Sequence, residues 1–272
     1  MSLTQKAALP LIETAKSKMI NVFPECKEMI CDTEVHLISQ PNTLKKKNEI
    51  AANIGAPELQ KLTPDHMETL IGETQNAIVV YYLTIDDESN FVHYLIHEFG
   101  HVISIRAIYD LYRDIQNDTA LDIESKRRAG SAIWSEFIAE YIALDVDPTK
   151  LHNISWEVTD LLQHYLDEAV DKGYFDTYWF SFYLANYYND TTIKDYLRRY
   201  PGAAIGLDKY DDDLLEILSR VIALLNEQLC KDDYWIIDEK TLVNLGDSFD
   251  ELWAYCENRD LTKKLNYLNN SD

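Results

Sequence analysis

Residues 91–105 form one apolar run, Phe-Val-His-Tyr-Leu-Ile-His-Glu-Phe-Gly-His-Val-Ile-Ser-Ile, with His97, Glu98 and His101 set inside it. A helix that is apolar on nearly every face has to be buried, and two imidazoles and a carboxylate are costly there unless paired or metal-bound. The spacing allows the second solution. Residues four apart on an α-helix stand one turn above each other on one face, so His97 and His101 can aim two ring nitrogens at a single ion. Glu98, one residue on, reaches a water on that ion more readily than the ion itself, which is where a general base belongs. The alternative is a core helix carrying two satisfied histidines.

Composition narrows the setting. At 272 residues and 46% hydrophobic content the chain can bury a substantial core, as one large domain or two lobes. Acidic residues number 47 against 25 basic ones, a net charge of −22. That sign argues against nucleic acid as a partner, because phosphate binding relies on clustered Lys and Arg. It favours basic partners, cations or plain solubility, and a solvated acidic surface accounts for it without a partner. Cys26, Cys31, Cys230 and Cys256 are sparse and form no C-x-x-C pair, so they read as reduced thiols. The N-terminus lacks the positive start and unbroken apolar core of a signal peptide, and no segment approaches the ~20 apolar residues of a membrane span. A cytoplasmic location is the expectation.

Along the chain, Leu3, Ala7, Ala8, Leu11, Ile12, Ala15, Met19 and Ile20 fall at helical spacing and predict an amphipathic helix over 3–22, interrupted at Pro10. Weak alternation over 33–39 predicts a strand, the Lys45-Lys46-Lys47 run a solvated turn or helix start, and residues 57–72 a short helix. Ala77-Ile-Val-Val-Tyr-Tyr-Leu-Thr84, β-branched and aromatic, is the strongest strand. The acidic Asp86-Asp87-Glu88-Ser89 then starts a helix over about 89–113. From Gly130 on the chain reads as helices over 131–143, 156–169, 178–188, 193–199 and 214–229, a short strand over 234–237 and a last helix over 249–255.

Two histidines do not complete a catalytic zinc site, which takes a third protein ligand and leaves one position for water. The metzincin pattern needs Gly at 104 and His at 107, where this chain has Ser104 and Ala107. Acidic residues on a following helix remain, and in Trp134-Ser-Glu-Phe-Ile-Ala-Glu-Tyr141 the pair Glu136 and Glu140 lies four apart in an apolar segment. HEFGH followed by Ser-Glu-Phe-Ile-Ala-Glu-Tyr resembles the gluzincin class of zinc metallopeptidases. It is similar to the E-F-x-A-E segment of lethal-factor-type toxin proteases and the N-E-G-x-A-E-Y of thermolysin-like aminopeptidases. The resemblance runs from roughly Ala77 to Tyr141. It implies Zn2+ as cofactor, Glu136 as the third ligand, and Glu140 as the acid that hydrogen-bonds a ligand histidine. There are departures: no tyrosine lies between Tyr112 and Tyr141 to serve as the lethal-factor-type oxyanion donor, and Gly72-Glu-Thr-Gln-Asn76 is a poor match to the aminopeptidase substrate motif. No substrate class is inherited.

His93 continues the row of His97 and His101, but a gluzincin-type site has no place for it, and a cleft-lining or hydrogen-bonded core role suits it better. Tyr183, Tyr187, Tyr188 and His164 lie on helices that could close over the metal, although among eighteen tyrosines core packing explains any single one.

The reading is a predominantly helical α+β protein with a small strand region beside a zincin-like active-site helix. Residues 1–85 form an N-terminal α+β lobe with a cleft-edge strand, and residues 86–272 a helical lobe carrying the HEFGH and SEFIAEY helices. Function is expected to be zinc-dependent hydrolysis of peptide bonds with Glu98 as base, on a peptide or protein substrate that pairs with the edge of the strand at 77–84. The alternative is a catalytically silent acidic interaction or nucleic-acid-mimicking protein with a structural metal.

Overall fold

The computed structural model describes residues 5–38, 43–57, 67–81, 87–117, 123–148, 158–172, 175–201, 206–207 and 210–269. Among them the protein is predominantly helical α+β, with one three-stranded sheet. It divides into two compact units, Met1–Ala107 with Ile142–Lys150, and Ile108–Tyr141 with Leu151–Asp272. The boundary expected after residue 85 falls elsewhere in this division, because the HEFGH helix shares the first unit with the sheet that helps to bury it.

In the first unit, α1 (Gln5–Val22) and α2 (Lys27–Asp32) lead to β1 (Glu34–Leu37), α3 (Thr43–Ile54), β2 (Met67–Ile71), β3 (Asn76–Val80) and α4 (Glu88–Ala107). Helix α1 runs through Pro10 rather than breaking there. An interior proline costs about 3 kcal/mol, and the packing of α1 on α4, through a face that includes the buried Ala8, Ile12, Ala15 and Met19, offsets it. Lys18 of α1 pairs at 3.1 Å with the buried Asp147, tying the returning segment 142–150 to this unit.

The sheet order is β1-β3-β2, with β1 parallel and β2 antiparallel to β3. Every residue of β3 is buried, because helices cover both faces of the sheet. Ala51 and Ile54 of α3 pack with Leu70, Ala77 and Val79 on one face, and α4 packs against β2 on the other. A strand apolar at every position suits the sheet centre, where both faces are covered. This overturns the expected cleft-edge strand: β1 and β2 occupy both edges of 76–80, so no substrate can pair there, and residues 82–84 lie outside the described residues.

Three local expectations also change. Within 57–72 the described stretch Met67–Ile71 is a strand rather than a helix, since its pairing with β3 overrides local propensity. Lys47 is not solvated but fully buried and ion-paired with Glu68 of β2, because Leu44, Lys47, Ala51 and Ile54 share the inward face of α3. Residues 234–237 form a turn and not a strand: Gln228 Nε2 donates to the main-chain oxygens of Tyr234 and Ile236 at 2.8 and 2.6 Å, which satisfies carbonyls that a ladder would otherwise use.

The second unit is helical: α5 (Tyr109–Asn117), most of α6 (Ile123–Val146), α7 (Val158–Lys172), α8 (Thr177–Asn189), α9 (Thr191–Leu197), α10 (Asp212–Leu229) and α11 (Glu239–Asn269). Four of these helices, α8 to α11, start on aspartates. Asp176, Asp190, Asp211 and Asp238 each accept a main-chain N–H three residues on, at 2.9–3.2 Å. Among the described residues no helix is long and apolar enough to cross a membrane.

Helices α6 and α11 approach closely at two glycines. A Cβ on Gly130 would collide with the Leu242 carbonyl, and one on Gly246 with the Lys126 carbonyl. Alanine in a helix normally gains about 0.5–1 kcal/mol over glycine, but forcing backbones apart costs about 1–3 kcal/mol. Gly130→Ala and Gly246→Ala are therefore expected to lower stability by about 1–2 kcal/mol, read as a lower urea midpoint, whereas an unchanged or raised midpoint would contradict the close approach.

Candidate metal centre

Helix α4 begins where Asp87 accepts the Ser89 N–H at 2.8 Å on Oδ1 and the Phe91 N–H at 3.0 Å on its main-chain oxygen. It ends with Arg106, whose two guanidinium nitrogens donate to the main-chain oxygens of Gly72 and Glu73, both at 2.8 Å. Between these anchors Phe91, Val92, Leu95, Ile96, Phe99, Val102 and Ile103 are buried. Exposure survives along one stripe, through the partly buried Asn90, the exposed Tyr94 and the half-buried His97. Beside it Glu98 and His101 keep 8% exposure each.

His97, Glu98 and His101 are brought together: one donor atom from each lies within 4.8 Å of the other two. The imidazole rings stand edge to face, with centroids 4.8 Å apart and planes at 79°. Zinc–nitrogen bonds of about 2.0–2.1 Å at a tetrahedral angle hold two donors about 3.4 Å apart, within the 4.8 Å limit that the three donor atoms meet here. Two imidazoles and a carboxylate gathered on one helix are a donor set that fits a divalent metal. His93 is not part of the group and is buried edge-on to Tyr94.

The carboxylate of Glu98 is held from the sheet. Thr69 Oγ1 of β2 lies 2.7 Å from Glu98 Oε2 and 3.0 Å from the Glu98 main-chain oxygen, and its single proton is donated to the closer, charged carboxylate oxygen. Sequence reasoning missed Thr69 because it placed a helix over 57–72. No alternation marks the segment, since Glu68 and Thr69 are adjacent polar residues and Leu70 and Ile71 adjacent apolar ones; only the pairing with β3 places Met67, Thr69 and Ile71 on one face.

Glu136 and Glu140 stand one turn apart on α6, in the second unit. Glu136 is half-buried, and Glu140 is buried at 3% exposure. Of the other candidates, His164 is exposed, and Tyr183 packs among Tyr165, Trp179 and Phe182. Tyr187 is fully buried, while Tyr188 donates its hydroxyl to the Ile222 carbonyl, and burial raises its pKa well above the ordinary tyrosine value. Tyr188 is thus a core residue with its proton already committed.

No protein-family model, no curated protein and no solved structure matches the chain.

Metal binding is testable without any substrate. Zinc added to chelator-treated protein is expected to bind at about one ion per chain. At one hundred times its dissociation constant it should raise stability by about 2.7 kcal/mol, seen as a higher melting temperature that a chelator reverses. The double change His97→Ala with His101→Ala should abolish both effects, and an undiminished zinc response in that variant would show that the ion binds elsewhere.

Proposed function

We propose that the protein is a zinc-dependent metallopeptidase in which His97 and His101 ligate the metal and Glu98 is the general base. The observation that carries this reading is the convergence of the two imidazoles and the Glu98 carboxylate on α4, with His97 half-buried and Glu98 and His101 buried beside it. An intact glutamate at that place has no purpose in a purely structural site. The HEFGH and SEFIAEY resemblance extends the proposal to Glu136 as third ligand and to Glu140 as the hydrogen-bond acceptor that would orient a ligand histidine.

Zinc held there would supply a Lewis acid that polarises the scissile carbonyl and lowers the pKa of water to about 7. Glu98 takes the proton from the attacking water and delivers it to the departing amine, so one carboxylate serves as base and then as acid. Its near-complete burial keeps competing water away and strengthens its interaction with developing charge. His97 and His101, as neutral imidazoles, keep their donor nitrogens available above the range where histidine protonates. The net charge of −22 favours encounter with basic peptides over acidic ones.

Three variants separate these roles. Glu98→Gln preserves shape but removes the proton acceptor, so hydrolysis of a mixed peptide library should fall by ~100-fold or more while zinc stays bound. Glu136→Ala should lose zinc and thermal stability together, and Glu140→Ala should fall between them with ~10- to 100-fold losses. If Glu136→Ala keeps its zinc while Glu140→Ala loses it, the two glutamates exchange roles. Zinc-loaded protein that cleaves no peptide would overturn the peptidase reading.

A further inference from the structure

Strand β2 is fastened to α4 at two places. Thr69 meets Glu98, and the main-chain oxygens of Gly72 and Glu73 take Arg106. The two attachments lie at different heights on the helix: the eight residues from Glu98 to Arg106 rise about 12 Å, while on the sheet side the chain runs from Thr69 to the end of β2 at Ile71 and into the turn at Gly72 and Glu73. Thr69 is further fixed by the β2–β3 ladder, where it sits opposite Ile78. Its hydroxyl is thus carried on a braced strand, and its β-branched side chain is stiff about χ1.

A base must meet its proton at about 2.6–3.2 Å, yet an unrestrained glutamate has three side-chain torsions to set. The Thr69 hydroxyl, 2.7 Å from Oε2, removes that freedom at the end of the chain. The same hydroxyl also lies 3.0 Å from the Glu98 main-chain oxygen, so the threonine sits close against this turn of α4. The bond to Oε2 occupies one of the carboxylate's several acceptor positions and leaves the others for a proton.

We propose that Thr69 is a positioning residue for the peptidase reaction: from β2 its hydroxyl fixes the orientation of the Glu98 carboxylate. This rests on the metallopeptidase reading. It goes beyond that reading by assigning a second structural element, the sheet, to the geometry of the base.

The test compares full-length, zinc-loaded parent, Thr69→Val and Thr69→Ser. Valine keeps the shape and removes the donor, whereas serine keeps the donor and removes the methyl group. In Thr69→Val, kcat should fall about 10- to 100-fold with KM changed less than about twofold, and Thr69→Ser should recover kcat to within about threefold of the parent. Zinc content should be equal in all three. Crystal structures should show one Glu98 orientation in the parent and Thr69→Ser, and several or a rotated one in Thr69→Val. The proposal is overturned if Thr69→Val retains kcat, if it loses zinc along with kcat, or if Thr69→Ser is as slow as Thr69→Val. Should the zinc-loaded parent cleave no peptide, the peptidase reading falls by itself. The Glu98 orientation in Thr69→Val then decides whether Thr69 positions it: a single parental orientation overturns the proposal, and a scattered one supports it.

Discussion

The first unit depends on covering α4 on nearly all its faces. Its apolar run leaves only a narrow stripe to solvent, so one packing partner cannot bury it. The sheet takes one side through β2, while α1 and α2 take others. From that requirement follow the continuity of α1 through Pro10 and the burial of β3 on both faces. Moving α4 would expose apolar surface at about 25 cal/mol per Å², and that cost holds His97, Glu98 and His101 in place.

The same burial makes polar groups on α4 expensive unless each has a use. Glu98 meets Thr69, and His97 meets His101 edge to face. The Lys47–Glu68 pair shows the same economy on the opposite face of β2, where a fully buried ammonium meets the strand neighbour of Thr69. Successive residues of one strand point to opposite faces, so Glu68 serves the packing of α3 while Thr69 serves α4. Breaking such a buried pair by removing one partner costs about 3–5 kcal/mol, which holds β2 in place beside Glu98.

The second unit solves a different problem, the starting and stopping of many helices in an acidic chain. Aspartates at 176, 190, 211 and 238 cap the helices that follow them. Part of the acidic excess is thus structural, since a carboxylate at a helix N-terminus meets both unsatisfied N–H groups and the positive end of the dipole. Close approach of α6 and α11 at Gly130 and Gly246 helps to anchor the helix that bears Glu136 and Glu140 within this unit.

Local chemistry by itself determined the helical character, the position of α4, the strand around residues 76–80 and the clustering of His97, Glu98 and His101, because each depends on periodicity or on spacing within one turn. The departures came from tertiary contacts. Strand β2 pairs antiparallel with the next strand, β3, through the turn at 72–75, but Met-Glu-Thr-Leu-Ile carries no polar–apolar alternation to mark it as a strand. Lys47 read as solvated because its counter-charge is twenty-one residues away, at Glu68. The apolar strand expected at a cleft edge became the sheet centre once β1 and β2 claimed both its sides, and strand order is not encoded in the composition of any single strand. Thr69 was invisible for the same reason: a threonine acquires its role only when tertiary packing lays its strand along α4 and brings its hydroxyl to the carboxylate of Glu98.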